Sequence, residues 1–192
     1  MQKDEKLAIT KEKLMDATFQ LMEKSDDPLK VTSRQIAECA GVLPAMINYC
    51  FGSRENLIYN TFQKQYLSFL DNNEVKKITE SDLPPKELLK KIHFLVARCL
   101  TENYNFTRAI TGFVLFKRDL SKGSFSYNYI MKHYNGKRSE QECKVIALEL
   151  SSMMQLLIYR KDDLKKDFGI DLDDPEQLKR YIDMRVDLLL GD

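Results

Sequence analysis

Residues 32–57 read TSRQIAECAGVLPAMINYCFGSRENL. Thr32 and Gln35 have the spacing of a capping box, in which each side chain bonds the backbone N–H of the other, so a helix is predicted to begin at Thr32. Gly41 can adopt the left-handed conformation that ends a helix. Pro44 suits the first turn of the next helix, because its missing N–H would have had no partner there. The stretch therefore predicts two short helices that are joined by a tight glycine turn.

The facing sides of these two helices have the spacing of a helix-turn-helix DNA-binding motif. Ala37 is small enough to let the second helix approach closely, and Val42 and Ile47 fill the wedge between the helices. The motif is predicted over residues 33–52, with a recognition helix over residues 44–50. A helical hairpin without a special role has similar spacing and stays an alternative.

Apolar residues recur at helical spacing along the whole chain, whereas strict alternation is scarce, so an all-α fold is predicted. A helix over about residues 7–24 precedes the motif, and Ser53 is expected to cap a long fourth helix that extends to about Leu70. The polar stretch 71–85 is predicted to be a linker. Further helices are predicted near residues 86–103, 105–120, 124–134, 139–161 and 175–190.

Length and composition restrict the class of protein. The chain has 192 residues, 43% of them hydrophobic and 31% charged, which indicates one ordinary domain or two small ones. The net charge of +1 names no partner, so a nucleic-acid surface must come from local placement of basic residues. The four cysteines form no CxxC pair, which fits a reduced setting. No signal peptide or membrane-spanning run is found, so a cytoplasmic protein without membrane contact is expected.

Local charge favours contact with DNA at the motif. Within residues 31–54 the only acidic residue is Glu38, whereas Arg34 and Arg54 are positive. The helices that follow the two predicted caps would also present a positive dipole end to phosphate.

Two polar side chains of the recognition helix can contact DNA. Tyr49 can offer its hydroxyl to phosphate and its ring to a sugar or a thymine methyl group. Asn48 has the donor and acceptor pair for adenine, and a structural hydrogen bond is an equally good interpretation of this residue. The predicted DNA-binding residues are Thr32, Ser33, Arg34, Pro44, Ala45, Met46, Asn48, Tyr49, Ser53 and Arg54.

The segments IAECAGV and INYCFGSRENL resemble the N-terminal domain of the tetracycline-repressor (TetR) family of transcriptional regulators. The resemblance covers about residues 10–62. It implies a three-helix DNA-binding domain over residues 1–54, joined by the long fourth helix to a helical effector-binding and dimerisation domain over residues 55–192. The matching positions are Ile36-Ala37, Ala40-Gly41-Val42, Asn48-Tyr49, Phe51, Gly52-Ser53, Arg54 and Leu57.

Several positions depart from the family pattern. Leu43 stands where a capping residue is usual, and loss of that cap costs about 1 kcal/mol. Asn48 stands where Tyr is commonest, and Cys50 where His or Tyr often touches phosphate, while Arg54 keeps the charge of the usual Lys. The departures at Leu43 and Cys50 leave open an alternative function: a helical small-molecule-binding or interaction protein with weakened DNA binding.

A homodimer is expected, because one helix-turn-helix unit contacts about one half-site. The last two predicted helices are apolar over much of their circumference, and the resemblance implies that such helices pack against a second copy. Part of each face must also complete the core of the single chain. The predicted interface residues are Ile146, Leu150, Met154, Leu157, Leu178, Tyr181, Ile182 and Leu189.

The resemblance further implies a small-molecule effector near the fourth helix, and the many aromatic residues there predict an apolar or aromatic ligand. In this scheme the ligand displaces the fourth helix like a lever, changes the separation of the recognition helices and releases a palindromic operator, as a repressor would. Core packing is the default interpretation for any one of these side chains. The predicted effector residues are Tyr66, Phe94, Phe113, Phe116, Tyr127, Met131 and Met153.

Motifs typical of enzymes are lacking. The sequence has no GxGxxG, P-loop or HExxH, and neither His93 nor His133 lies three residues after a glutamate, as a di-iron helical bundle requires. The chain is therefore predicted to be no enzyme, with no catalytic residue, metal or cofactor. His93 is interpreted as a core histidine.

Overall fold

The computed structural model describes residues 3–70 and 73–191, and these ranges contain helices and no β-strand, as predicted. No helix in them is long and apolar enough to cross a membrane. Short 3₁₀ turns lie at Pro28–Lys30 and Leu120–Lys122. The α-helices are α1 (Lys3–Lys24), α2 (Ser33–Cys39), α3 (Ala45–Phe51), α4 (Arg54–Leu70), α5 (Asn73–Thr79), α6 (Pro85–Glu102), α7 (Tyr104–Phe116), α8 (Tyr127–Tyr134), α9 (Glu140–Tyr159), α10 (Lys161–Phe168) and α11 (Pro175–Leu190).

The chain forms two compact units. The first unit comprises Met1–Ser68 and Asn105–Phe116, and the second comprises Phe69–Tyr104 and Lys117–Asp192. The first unit is therefore discontinuous in sequence, since almost all of α7 belongs to the same unit as α1 to α4.

In the first unit, α7 closes the core that α1 and α4 begin. The Phe106 ring lies 5.8 Å from the Phe19 ring and 6.3 Å from the Phe62 ring, centroid to centroid. Such aromatic pairs contribute about 0.5–1.5 kcal/mol beyond the area that they bury. The Asn105 amide donates hydrogen bonds to the carbonyl oxygens of Met22 (3.3 Å) and Ser25 (3.0 Å), so it satisfies acceptors at the end of α1.

In the second unit, α6 is the central helix and packs against α5, α8, α9 and α11. The ammonium groups of Lys86 and Lys90 each lie 2.8 Å from the Asp187 carboxylate and link α6 to α11. The Tyr134 hydroxyl donates to the carbonyl oxygens of Leu189 and Leu190 at 3.2 Å, which satisfies acceptors at the end of α11.

Two predicted boundaries need correction. Part of the predicted linker 71–85 is helix α5, because Val75 is buried and α5 packs on α6. The predicted helix over residues 139–161 ends at Tyr159, and a separate helix α10 follows.

The segment between α7 and α8 is also less helical than predicted. It contains a 3₁₀ turn that is capped by the Asp119 carboxylate, which accepts a bond from the Ser121 N–H at 2.9 Å. Gly123 ends this turn with a φ of +67°, a conformation that side chains other than glycine rarely adopt.

His93 of α6 is fully buried in the second unit. Its Nε2 is hydrogen-bonded to the Ser126 Oγ at 2.7 Å, while Nδ1 is buried and has no hydrogen-bond partner within the described ranges. Burial lowers the pKa of His93 to about 3, because the charged imidazolium would lose its hydration. His93 is therefore a neutral core residue near pH 7, as predicted.

The buried neutral state of His93 predicts a stability that falls with acid. An unfolded histidine titrates near pH 6.5, so below that pH the unfolded chain binds a proton at this residue, whereas the folded chain does not. We expect the free energy of unfolding to fall by about 1.4 kcal/mol per pH unit between about pH 6 and pH 3 from this group alone. Urea unfolding of the wild type and His93→Gln at several pH values measures it.

The His93→Gln variant keeps a hydrogen-bonding group beside Ser126 but cannot titrate. We expect its free energy of unfolding to lack the His93 contribution to the pH dependence. The control His133→Gln, which changes the partly buried histidine of α8, should keep that contribution. Equal slopes for the wild type and His93→Gln would contradict the assignment.

Candidate nucleic-acid interface

The N-terminus of α2 is fixed by the predicted capping box. The Gln35 N–H donates to the Thr32 Oγ1 at 3.2 Å, and the Thr32 N–H donates to the Gln35 Oε1 at 2.8 Å. The N–H groups of Ser33 and Arg34, in the same first turn, have no partner within the helix by its geometry. Thr32 and Arg34 are exposed, so this end of α2 presents both a cation and a positive dipole end.

The turn after α2 is a Schellman motif, in which two crossed backbone bonds close the helix. The Val42 N–H donates to the Ala37 carbonyl oxygen at 2.9 Å, and the Gly41 N–H donates to that of Glu38 at 3.1 Å. Gly41 has a φ of +66°. Ala37 and Ile47 are buried where α2 meets α3, as predicted. The turn therefore sets the angle at which α3 leaves α2.

The outer face of α3 is the best candidate for contact with a base edge. Ala45, Asn48 and Tyr49 are spaced three and four residues apart, so they share a face, and all are exposed. Tyr49 keeps 63% of its surface exposed, although it is a large aromatic residue. The exposure of Asn48 favours the base-contact interpretation over a structural hydrogen bond.

The N-terminus of α3 has no side-chain cap. Pro44 stands at the cap position, so α3 spans Ala45–Phe51 rather than residues 44–50. Leu43, before it, is exposed, while Met46 is half-buried. The start of α3 therefore lacks a capping side chain, as the sequence predicts from Leu43.

The N-terminus of α4 follows α3 through Gly52, which has a φ of +76°. The half-buried Ser53 caps α4 as predicted, because its Oγ accepts a bond from the Asn56 N–H at 3.1 Å. The Asn56 amide in turn donates to the Phe51 carbonyl oxygen at 2.7 Å, at the end of α3. These bonds hold α3 to the first turn of α4.

Arg54 is largely taken up by backbone groups of the first unit. Its Nε donates to the Val31 carbonyl oxygen at 2.5 Å, and one terminal nitrogen donates to that of Pro28 at 3.3 Å. Its side chain keeps 18% of its surface exposed. The sequence predicts a DNA contact for Arg54, but these bonds occupy its guanidinium, so it holds α4 against the segment before α2.

Cys50 adds no charge to this surface. Burial raises the pKa of the Cys50 thiol, and the positive charge of Lys11 offsets that rise only in part. The thiol is therefore uncharged near pH 7, and it neither attracts nor repels phosphate.

The predicted effector residues do not form one group in either unit. Tyr66, Phe113 and Phe116 belong to the first unit, where the Phe113 ring lies 5.2 Å from the Tyr59 ring and Phe116 is 83% exposed. The remaining four belong to the second unit; they are Phe94, Tyr127, Met131 and Met153.

Tyr127 lines a cleft of about 390 Å³ in the second unit, which we call the α8–α9 cleft. Its polar wall consists of Arg118, Ser121, Ser124, Tyr127 and Lys144. The other four are not predicted from the sequence, because a single basic residue or serine has no spacing that indicates a ligand.

The predicted dimer residues divide between core and surface. Leu150, Met154, Leu178 and Ile182 are buried within the second unit, so they fill the core of the single chain rather than an interface. Ile146, Leu157, Tyr181 and Leu189 are half-buried. The exposed apolar residues of these helices lie on their other faces: Val145, Met153, Leu156 and Tyr159 on α9, and Met184 and Leu188 on α11.

The fold has a counterpart among known protein structures. It is similar to the crystal structure of a TetR transcriptional regulator from Rhodococcus sp. RHA1, with a TM-score of 0.60, 14% sequence identity and 98% of each chain covered. No protein-family model matches the sequence, and no curated protein matches it. The fold implied by the resemblance of residues 10–62 is confirmed over nearly the whole chain. The protein has the all-α fold of a TetR transcriptional regulator.

Proposed function

We propose that the protein is a dimeric, DNA-binding transcriptional regulator, a cytoplasmic repressor that leaves a palindromic operator when a small molecule binds. Residues 1–54 would read DNA, and residues 55–192 would bind the effector and the second copy. The observation that carries this proposal is the exposed face of α3, which presents Asn48 and Tyr49 from a helix that is fixed on both sides.

The proposed DNA surface combines base-edge and phosphate groups. Asn48 and Tyr49 would enter the major groove, with Ala45 beside them. Arg34 and the first turn of α2 would bind phosphate, which positions the helix without reading sequence. The bonds that occupy Arg54 give it a positioning role in this scheme.

The proposed dimer uses the exposed faces of the last long helices. Met184 is 54% exposed and Leu188 is 70% exposed, and they lie four residues apart on one face of α11. Leu156 and Tyr159, three residues apart, form a similar exposed face on α9. A second copy of the chain would cover both faces and place two recognition helices about 34–36 Å apart.

The proposed response to an effector is a shift between two states. A ligand releases the operator when it prefers the state in which the recognition helices are badly spaced, and a preference of about 1–3 kcal/mol is enough. The chain offers a route for this coupling, because α7 packs with α1 and α4 while Arg118, two residues after the end of α7, lines the α8–α9 cleft.

Selection from a random DNA pool tests the DNA-binding proposal. We expect the wild type to enrich a palindrome at low salt, and Arg34→Ala/Tyr49→Ala to lose affinity for it by about tenfold or more. Since Arg34 is assigned to phosphate, Arg34→Ala alone should reduce the slope of log affinity against log salt by about one.

The matched control is Arg98→Ala, which removes an exposed arginine of α6 outside the motif. It should bind the selected palindrome like the wild type. If the wild type enriches no sequence at low salt, the proposal fails and the alternative of a ligand-binding protein with weakened DNA binding takes its place.

Charged substitutions on α11 test the proposed dimer. We expect Met184→Glu/Leu188→Glu to convert the dimer to a monomer, because burying unpaired carboxylates in an apolar interface costs several kcal/mol. Sedimentation equilibrium measures the change in mass. Both side chains are exposed in the single chain, so its fold should be kept.

The control for this variant is Phe168→Glu, which places the same charge at an exposed apolar residue of α10. It should sediment as the wild type does. A wild type that is monomeric at micromolar concentration, or a Met184→Glu/Leu188→Glu variant that stays dimeric, would refute the assigned interface.

A further inference from the structure

We infer that the α8–α9 cleft binds a monoanionic carboxylate with an apolar body of about ten carbons. As a ligand-binding site this assignment stands on the cleft alone. As the effector site it rests on the function proposed above.

The first observation is a buried donor without an acceptor. The Nε–H of Arg118 is buried, and it has no hydrogen-bond partner within residues 3–70 and 73–191. Leaving a buried charged donor unsatisfied is costly, and a guanidinium fork matches the two oxygens of a carboxylate. Arg118 lines the cleft, so a rotation of its side chain toward the cleft would bring this donor to a carboxylate bound there.

The second observation is the balance of charge around the cleft. Lys144, the other cation in the wall, is paired with Glu140 at 2.5 Å, and its ammonium lies 5.8 Å from the Tyr127 ring centroid. Arg118 makes no ion pair with any described residue. One uncompensated positive charge favours a ligand with a single negative charge over a dianion.

The size of the cleft and its apolar lining residues define the rest of the ligand. Leu120, Val145, Ala147 and Leu148 are apolar, so the ligand body should be apolar as well. The volume of about 390 Å³ falls in the range of small-molecule sites. At about 30 Å³ for each water-sized group, it holds roughly a dozen non-hydrogen atoms.

The Ser124 hydroxyl, which lines the cleft, is held in place by a hydrogen-bond network. The Ser124 Oγ is hydrogen-bonded to the Ser151 Oγ at 3.1 Å and donates to the Ser126 Oγ at 3.3 Å. Ser126 is in turn bonded to the buried His93. A hydroxyl that is already held in place loses little freedom when a ligand binds, which favours a preformed position for Ser124.

A tryptophan reporter gives a direct test, because the chain contains no tryptophan. Leu120→Trp places a single indole at the wall of the cleft, where Leu120 is exposed. We expect decanoate, kept below its micelle concentration, to change the fluorescence saturably and to bind at least about tenfold tighter than decanol. Calorimetric titration of the unmodified wild type with decanoate checks that the indole does not itself create or block the site.

The role of Arg118 is tested in the same background. Adding Arg118→Gln should lower the affinity for decanoate at least about tenfold and leave the affinity for decanol unchanged, because only the carboxylate pairs with the charge of Arg118. The control Arg98→Gln should change neither. The assignment would be overturned if Arg118→Gln left the affinity for decanoate unchanged, or if the parent bound decanoate and decanol equally well. It would also be overturned if decyl phosphate, which carries more charge, bound more tightly than decanoate.

These titrations contain no DNA, so they succeed or fail independently of the proposed regulator. Decanoate that binds in the cleft but leaves the affinity for the selected palindrome unchanged would overturn the effector role. Absence of any saturable signal with decanoate, in both fluorescence and calorimetry, would overturn the site itself.

Discussion

The close approach of α2 and α3 is the contact on which the proposed DNA surface depends. It requires a side chain as small as Ala37 at the crossing and a left-handed residue at Gly41, and both are met. With these two helices fixed, the exposed direction of Asn48 and Tyr49 follows from helical geometry alone. The bonds from Asn56 and Arg54 then attach α4 to the same body, so the start of α4 and the helix α3 form one framework.

The second unit depends on a different kind of interaction. Its central helix α6 buries a histidine and carries lysines that meet Asp187 of α11, so polar groups as well as apolar packing fix its neighbours. The hydroxyl network that begins at His93 reaches the wall of the α8–α9 cleft. The neutral core histidine and the α8–α9 cleft are therefore linked by two serines, Ser126 and Ser124, rather than by direct contact.

Local signals in the sequence predicted the helix boundaries of the motif. Caps such as Thr32 and turn residues such as Gly41 act within a few residues, so their spacing is enough. The packing of one helix against another leaves no such local signal in the sequence. The periodicity of α9 and α11 marks them as apolar but does not say which face meets the core. Leu150 and Ile182 are predicted at the interface, whereas both are buried in the core of the second unit. Likewise, no pattern around Arg54 reveals that backbone carbonyls far from it in sequence would bind its guanidinium.

The packing of α7 has a consequence for how the protein is made. The first unit is complete only after residue 116 has been synthesised, since Phe106 and Asn105 supply part of its core and cap the end of α1. Because a chain is synthesised from its N-terminus, α1 to α4 are made before α7. Phe19 and Phe62 therefore stay incompletely covered while α5 and α6 are added. Folding of the motif is thus not strictly vectorial, and a fragment that ends with α4 would expose an apolar seam that the full chain closes.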